Sequence, residues 1–154
     1  MKYFTMAIAA LLLTTTAMAE VVFPPGNKNV QQAWTELCDI TSLSCEGIKA
    51  PTVIFGKTGA ALGYHYFGSA VVVITETCLI RTADFAKCDA IVLHEMAHYL
   101  FDQLGLADPK KACESEAFAW DVYNAYVLRI NRKDLLRLDW VRSYPSCASP
   151  TLIP

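Results

Sequence analysis

Apolar residues recur at helical spacing along 30–38, 89–104 and 109–130, with short continuous apolar runs between them. Val30, Ala33, Trp34 and Leu37 fall on one helical face, and Asn29 precedes them as a good cap, so a first helix is predicted over 30–38. Residues 52–55 are β-branched and aromatic and predict a strand. Residues 62–67 and 70–75 predict two more, joined near Gly68-Ser69. Val71-Val72-Val73-Ile74 is apolar at every position, which predicts burial on both faces. A long helix is expected next, capped by Asp89, running to about Leu104 and stopped by Gly105. Its Leu93, Met96, Ala97, Leu100 and Leu104 would face a core, and Ile91, His94, Glu95, His98 and Asp102 another side. Asp108-Pro109 has the residue types of a cap and a first helical position for a helix to about 130, and a shorter helix is expected over 131–142. The short connection 105–108 makes the two long helices antiparallel neighbours. The expected fold class is α+β: a small domain with a short antiparallel sheet packed on these two helices.

The second helix carries His94-Glu95-Met96-Ala97-His98, an H-E-x-x-H pattern inside the apolar run 90–101. Histidines four residues apart lie one above the other on a helix face, so both imidazoles can reach one metal about 2 Å from each. Glu95 beside the first histidine can then take a proton from a water at the metal's open position. Only three histidines occur in the chain, and two are here. Three polar or ionisable groups on the inner side of an apolar helix are costly unless paired, and a metal is the simplest partner.

A catalytic zinc site takes three protein ligands and leaves one position open. The extended pattern H-E-x-x-H-x-x-G-x-x-H is excluded, because Phe101 and Leu104 stand where its glycine and third histidine belong. Asp102 is one turn beyond His98 and would sit past the metal. On the next helix, counting axial levels from the turn puts both Glu114 and Glu116 level with the two histidines, which are about 6 Å apart along the axis. Each has an alanine three positions on, Ala117 or Ala119, which lets the helices approach closely. The residues themselves leave this choice open.

The H-E-x-x-H element followed by Glu114-Ser115-Glu116-Ala117 resembles the gluzincin branch of the zincin metallopeptidases, over roughly residues 62–126. In several such families the ligand glutamate stands in E-x-x-A on the following helix. The resemblance therefore implies metal ligands His94, His98 and Glu114, with Glu116 as the fallback, and Glu95 as general base. It also implies that the strand pair before the motif helix supplies a substrate-binding edge. The chain departs from the family in having Phe118 where an aspartate often follows the alanine, and in having no room for a second lobe. His65 is a candidate to polarise a substrate oxygen, Tyr123 and Tyr126 to stabilise an oxyanion, and Asp121 to hydrogen-bond a ligand histidine. Trp34, Phe118 and Trp120 are expected in the core.

The chain has 154 residues, enough for one domain with a modest core. Residues 1–19 have the pattern of a secretory signal: Lys2, an apolar run at 7–13, and Ala17-Met18-Ala19 as a cleavage site. A single zincin-like domain is expected over 20–154. The six cysteines all follow that segment, and an even count in an exported small domain predicts a disulfide framework. Pairing of neighbours, Cys38–Cys45, Cys78–Cys88 and Cys113–Cys147, is the expected connectivity. The formal charge of −2 with no basic run argues against nucleic acid as a partner. After signal removal no segment is long and apolar enough to hold the chain in a membrane. These readings together lead to a secreted or periplasmic metallopeptidase with one Zn2+ per chain and a peptide or protein substrate. The alternative is a non-catalytic zinc-bearing binding or structural protein of the same fold, its metal closed by a fourth ligand such as Glu116 or His65.

Overall fold

The computed structural model describes residues 28–80, 83–108 and 112–137. Among them the order is α1 (Val30–Ile40), β1 (Thr52–Gly56), β2 (Gly63–His65), β3 (Val71–Thr75), α2 (Phe85–Gln103) and α3 (Ala112–Arg129). Short 3-10 turns lie at Glu76–Leu79 and Lys133–Leu135. The class is α+β, as the sequence implies. The expected signal segment and the tail that includes Cys147 lie outside the described residues.

α1 starts where its pattern predicts. Asn29 accepts from Gln32 N at 2.8 Å and the Gln32 side chain returns the bond to Asn29 N, a full capping box. The helix buries Ala33, Trp34, Leu37 and Ile40. Cys38–Cys45 closes the loop that follows.

The sheet differs from the expectation in one pairing. Its order is β1-β3-β2. β2 and β3 form the predicted antiparallel pair, whereas β1 runs parallel to β3 on its other side, so the sheet is mixed. β3 is thus the central strand. That position explains its continuous apolar run, since Val72, Val73, Ile74 and Thr75 are all buried. β2 remains an edge strand, held along Val72–Ile74 on one side only.

The cap of α2 lies five residues before the expected one. Asp84 accepts from Lys87 N at 3.2 Å, and its carboxylate also takes Arg132 Nη2 at 2.8 Å. Asp89 instead lies inside the helix, buried, where it receives Lys28 N at 3.2 Å and the Tyr126 hydroxyl at 3.3 Å. The first helical turn is tied back to the 3-10 turn by Cys78–Cys88. The C-terminus follows expectation. Gly105 has φ +69°, and Gly105 N donates to Asp102 O and Leu106 N to Phe101 O, the paired bonds of a Schellman stop. α2 is buried nearly all round, from Cys88 to Ala97 and from Tyr99 to Phe101. Sheet, α1 and α3 all pack on it, so it forms the axis of the core rather than a two-faced surface helix.

α3 runs antiparallel to α2 and buries Phe118, Val122 and Val127. Phe101 and Phe118 stack at 5.3 Å. Cys113 in its first turn is disulfide-bonded, and the expected partner Cys147 lies outside the described residues. The helix expected over 131–142 is, as far as residue 137, the 3-10 turn Lys133–Leu135, entered through Asn131 at φ 59°. That left-handed residue ends helical continuation.

Because Asp84 both caps α2 and anchors Arg132, Asp84→Ala should lower the unfolding free energy by about 1–2 kcal/mol. Urea denaturation of the oxidised protein measures it. A change within a few tenths would place the helix start elsewhere.

Candidate metal centre

α2 presents His94 and His98 on one stripe, and α3 brings a carboxylate to them. His94 Nε2 and His98 Nε2 are 3.3 Å apart. Glu116 Oε1 is 3.4 Å from His98 Nε2, and Glu116 Oε2 is 3.7 Å from His94 Nε2. The three donor atoms lie within 4.8 Å of one another and form a group able to hold a metal ion. Metal–donor bonds of about 2.0–2.1 Å in tetrahedral arrangement set donor atoms about 3.3–3.4 Å apart. The imidazole pair already has that separation. Two Nε2 atoms at this distance with no proton between them repel, and a cation relieves this.

The carboxylate here is that of Glu116, and Glu114 is not in the group. Residues two apart on a helix point about 200° apart around its axis. Axial level alone therefore cannot choose between them. Glu116 shares its stripe with Trp120 and Tyr123, which line the same cleft. The E-x-x-A signal is satisfied by Glu116-Ala117-Phe118-Ala119 as well as by Glu114-Ser115-Glu116-Ala117.

Each imidazole has a distinct surrounding. With Nε2 turned to the shared point, His98 carries its proton on Nδ1, which donates to Ser115 Oγ at 2.7 Å. Ser115 thus holds the position that the sequence suggested for Asp121. Asp121 is half-buried on α3 and bonds neither histidine. His94 Nδ1 is buried and has no hydrogen-bond partner among the described residues. Trp120 lies against the His94 ring at 4.4 Å, so it is a wall of the site rather than core. Burial, with His98 adding to it and Glu116 opposing, pushes His94 down to about 3, so its neutral, metal-binding form holds at neutral pH. Burial raises the Glu116 carboxyl, but His98, His94 and Trp120 outweigh it and keep the group below its usual range.

Glu95 is 6 % exposed, and burial, reinforced by Glu116 and opposed by His98, pushes its carboxyl up to about 7. It lies where two clefts meet. One, about 310 Å³, runs toward the C-terminal end of α2 past His98, His65 and Tyr64. The other, about 210 Å³, runs the opposite way past His94, Ile91, Trp120 and Tyr123. Gly63, Glu95 and Glu116 line both.

Gly63 is a site residue that the sequence reading passed over. A Cβ on it would stand 2.7 Å from Glu95 Cγ and 2.9 Å from both Glu95 Oε1 and the Val73 carbonyl. The absence of a side chain is what lets the edge strand lie against the Glu95 carboxylate. An isolated glycine inside a strand pattern was the available signal.

His65 does line the cleft, but its ring is engaged. Nε2 is 3.2 Å from Asp102 Oδ2 and Nδ1 is 3.3 Å from the Val71 carbonyl. Gly68 N also donates to Asp102 Oδ2, at 2.6 Å. The geometry makes His65 and Asp102 a clamp between the β2–β3 hairpin and α2, with Asp102 beyond the metal group as the sequence reading places it. Tyr123 lines the smaller cleft, whereas Tyr126 turns away to Asp89.

No protein-family model matches this chain, and no curated protein and no solved structure matches it significantly. Its functional reading stands on its own residues.

Two expectations follow. Gly63→Ala should destabilise the protein by about 1–3 kcal/mol through overpacking against Val73 and Glu95; a variant as stable as the parent would contradict the close approach. The second concerns pH in the metal-free protein. Glu95's folded pKa is raised above its unfolded value of 4.5 to about 7, so its favourable contribution is present below about 4.5 and is lost as pH rises through about 7. His94 acts in the opposite sense between about 3 and 6.5, and it does so in parent and variant alike. The stability of Glu95→Gln relative to the parent should therefore climb from pH 4.5 to about 7 and then level. A difference independent of pH would remove the buried, proton-holding Glu95 from the account.

Proposed function

We propose that the protein is a zinc-dependent peptidase of zincin type in which His94, His98 and Glu116 hold the ion and Glu95 is the general base. The observation that carries this reading is the placement of one buried carboxylate, with its pKa near neutrality, at the junction of two clefts beside three convergent donors. Two imidazoles and a carboxylate suit zinc, and a set of three leaves a position for substrate or water. When bound, the ion supplies Lewis acidity to the oxygen atoms nearest it.

The chain's own residues do the remainder. Glu95 accepts a proton from the water that attacks the peptide carbonyl and delivers it to the leaving amine, so one water is consumed for each amide bond broken. Ser115 keeps His98 in the tautomer that turns Nε2 inward. Gly63 on the edge strand leaves room for Glu95 between the clefts. The His65–Asp102 clamp holds that strand to α2. Two disulfides suit an oxidising compartment, and no helix among the described residues is long and apolar enough to cross a membrane. The disulfides support a secreted or periplasmic location.

The test pairs metal content with turnover on casein and mixed peptide libraries. The parent and Glu114→Ala should bind one zinc per chain, Glu116→Ala should lose at least tenfold in zinc affinity, and Glu95→Gln should retain zinc while turnover falls by about 10²-fold or more. Loss of zinc in Glu114→Ala alone would return the third ligand to that residue. Zinc bound without hydrolysis of any substrate by the parent would favour the non-catalytic alternative.

A further inference from the structure

The smaller cleft continues beyond the metal ligands. Lys87, Ile91 and His94 lie along one stripe of α2, spaced by about one helical turn each. Facing them on α3 are Glu116, Trp120 and Tyr123. Leu62 and Ile91 line both the cleft at Glu95 and a neighbouring depression that reaches Lys87. Tyr123 lines that same cleft and also a pocket of about 270 Å³ that contains Lys87 and Arg137. Their shared lining residues set these depressions side by side between the candidate metal centre and a pair of cations. Lys87 is about 10 Å from His94 along the helix axis.

Arg137 is held in place. Its backbone N–H donates to Asn124 Oδ1 at 2.9 Å, and Asn124 Nδ2 donates to its carbonyl at 3.2 Å. Its guanidinium lies against the Tyr123 hydroxyl. The acid that lines this pocket, Asp134, is already taken by Arg132 at 2.8 Å, and so is nearby Asp84, also at 2.8 Å. Among the described residues no carboxylate forms an ion pair with Lys87 or Arg137. A polar pocket with two cations on a positioned backbone suits an anion, and on a peptide substrate the anionic group is a carboxylate.

We propose that Lys87 and Arg137 bind a carboxylate of the substrate, two or three residues from the cleaved bond. An extended peptide advances about 3.3 Å per residue, so three residues cover the distance to the level of Lys87, and two do so with the added reach of a long cationic side chain. The inference rests on the peptidase reading above and deepens it by naming the substrate class: peptides anchored by a negative charge at that position. The carboxylate is either the chain's own C-terminus or an Asp or Glu side chain, and the chemistry is shared.

The test uses the oxidised, zinc-loaded protein carrying Glu95→Gln, so that binding is read without turnover. Three N-acetylated apolar hexapeptides are compared by calorimetry: the free acid, its C-terminal amide, and the amide with Asp at the last position. The expected result is that the acid binds about tenfold to a hundredfold more tightly than the plain amide. Tight binding of the Asp-containing amide as well identifies a side chain as sufficient. Its failure to bind identifies the C-terminus. Lys87→Met and Arg137→Gln, each made in the same background, should shrink the acid-to-amide ratio while leaving zinc content unchanged. Equal binding of acid and amide, no binding by any of the three, or a ratio untouched by both variants overturns the proposal. Acid preference retained in a parent that hydrolyses nothing would sink the peptidase reading and leave the carboxylate site standing.

Discussion

A helix buried on nearly every side has to find partners for the polar groups it carries. α2 carries two imidazoles and a carboxylate within one and a half turns, and its His94 and Glu95 are almost fully buried. Desolvation is the largest influence on both, holding His94 neutral and pushing Glu95 toward neutrality. The rest of the structure answers that constraint. α3 turns Ser115 and Glu116 toward the histidines, Trp120 covers His94, and the edge strand places a residue without a side chain over Glu95.

The remaining framework holds those answers in place. The Cys78–Cys88 bridge joins the end of the sheet to the first turn of α2, and Asp84 ties that turn to Arg132 after α3. At the other end, Asp102 joins the helix to the hairpin through His65 and Gly68. The edge strand and α2 are thus fastened both before and after the cleft that separates them. A small protein with a modest core gains from such local ties, because each restricts a segment that packing alone would hold weakly.

Much of this was legible in the sequence because it was local. Asn29 announces a helix cap, Gly105 announces a helix stop, and His94, Glu95 and His98 announce themselves by a spacing that only a helix makes meaningful. What could not be read depended on orientation between elements. The parallel pairing of β1 with β3 joins residues about twenty apart and leaves no mark in either strand. Glu114 and Glu116 both fall within the axial span of the two histidines, and the rotation of α3 about its own axis, set by Phe118 and Val122 in the core, decides between them. The Asp84 cap was hidden because the apolar run resumes only after Asp89, and Asp89 turned out to be a buried acceptor for Lys28 and Tyr126. Gly63 carried a signal, a lone glycine in a strand, whose meaning depended on what lay opposite.

The central claim is that His94, His98 and Glu116 enclose a zinc ion and leave part of its coordination open. X-ray absorption spectroscopy of the oxidised protein, purified with zinc and freed of loosely held ions, addresses it most directly. The account predicts one zinc per chain with two imidazole nitrogens and oxygen donors at about 2.0–2.1 Å, no sulfur, and a spectrum that changes when a small chelating hydroxamate is added. Absence of tightly held zinc, or a coordination shell indifferent to the chelator, would contradict it.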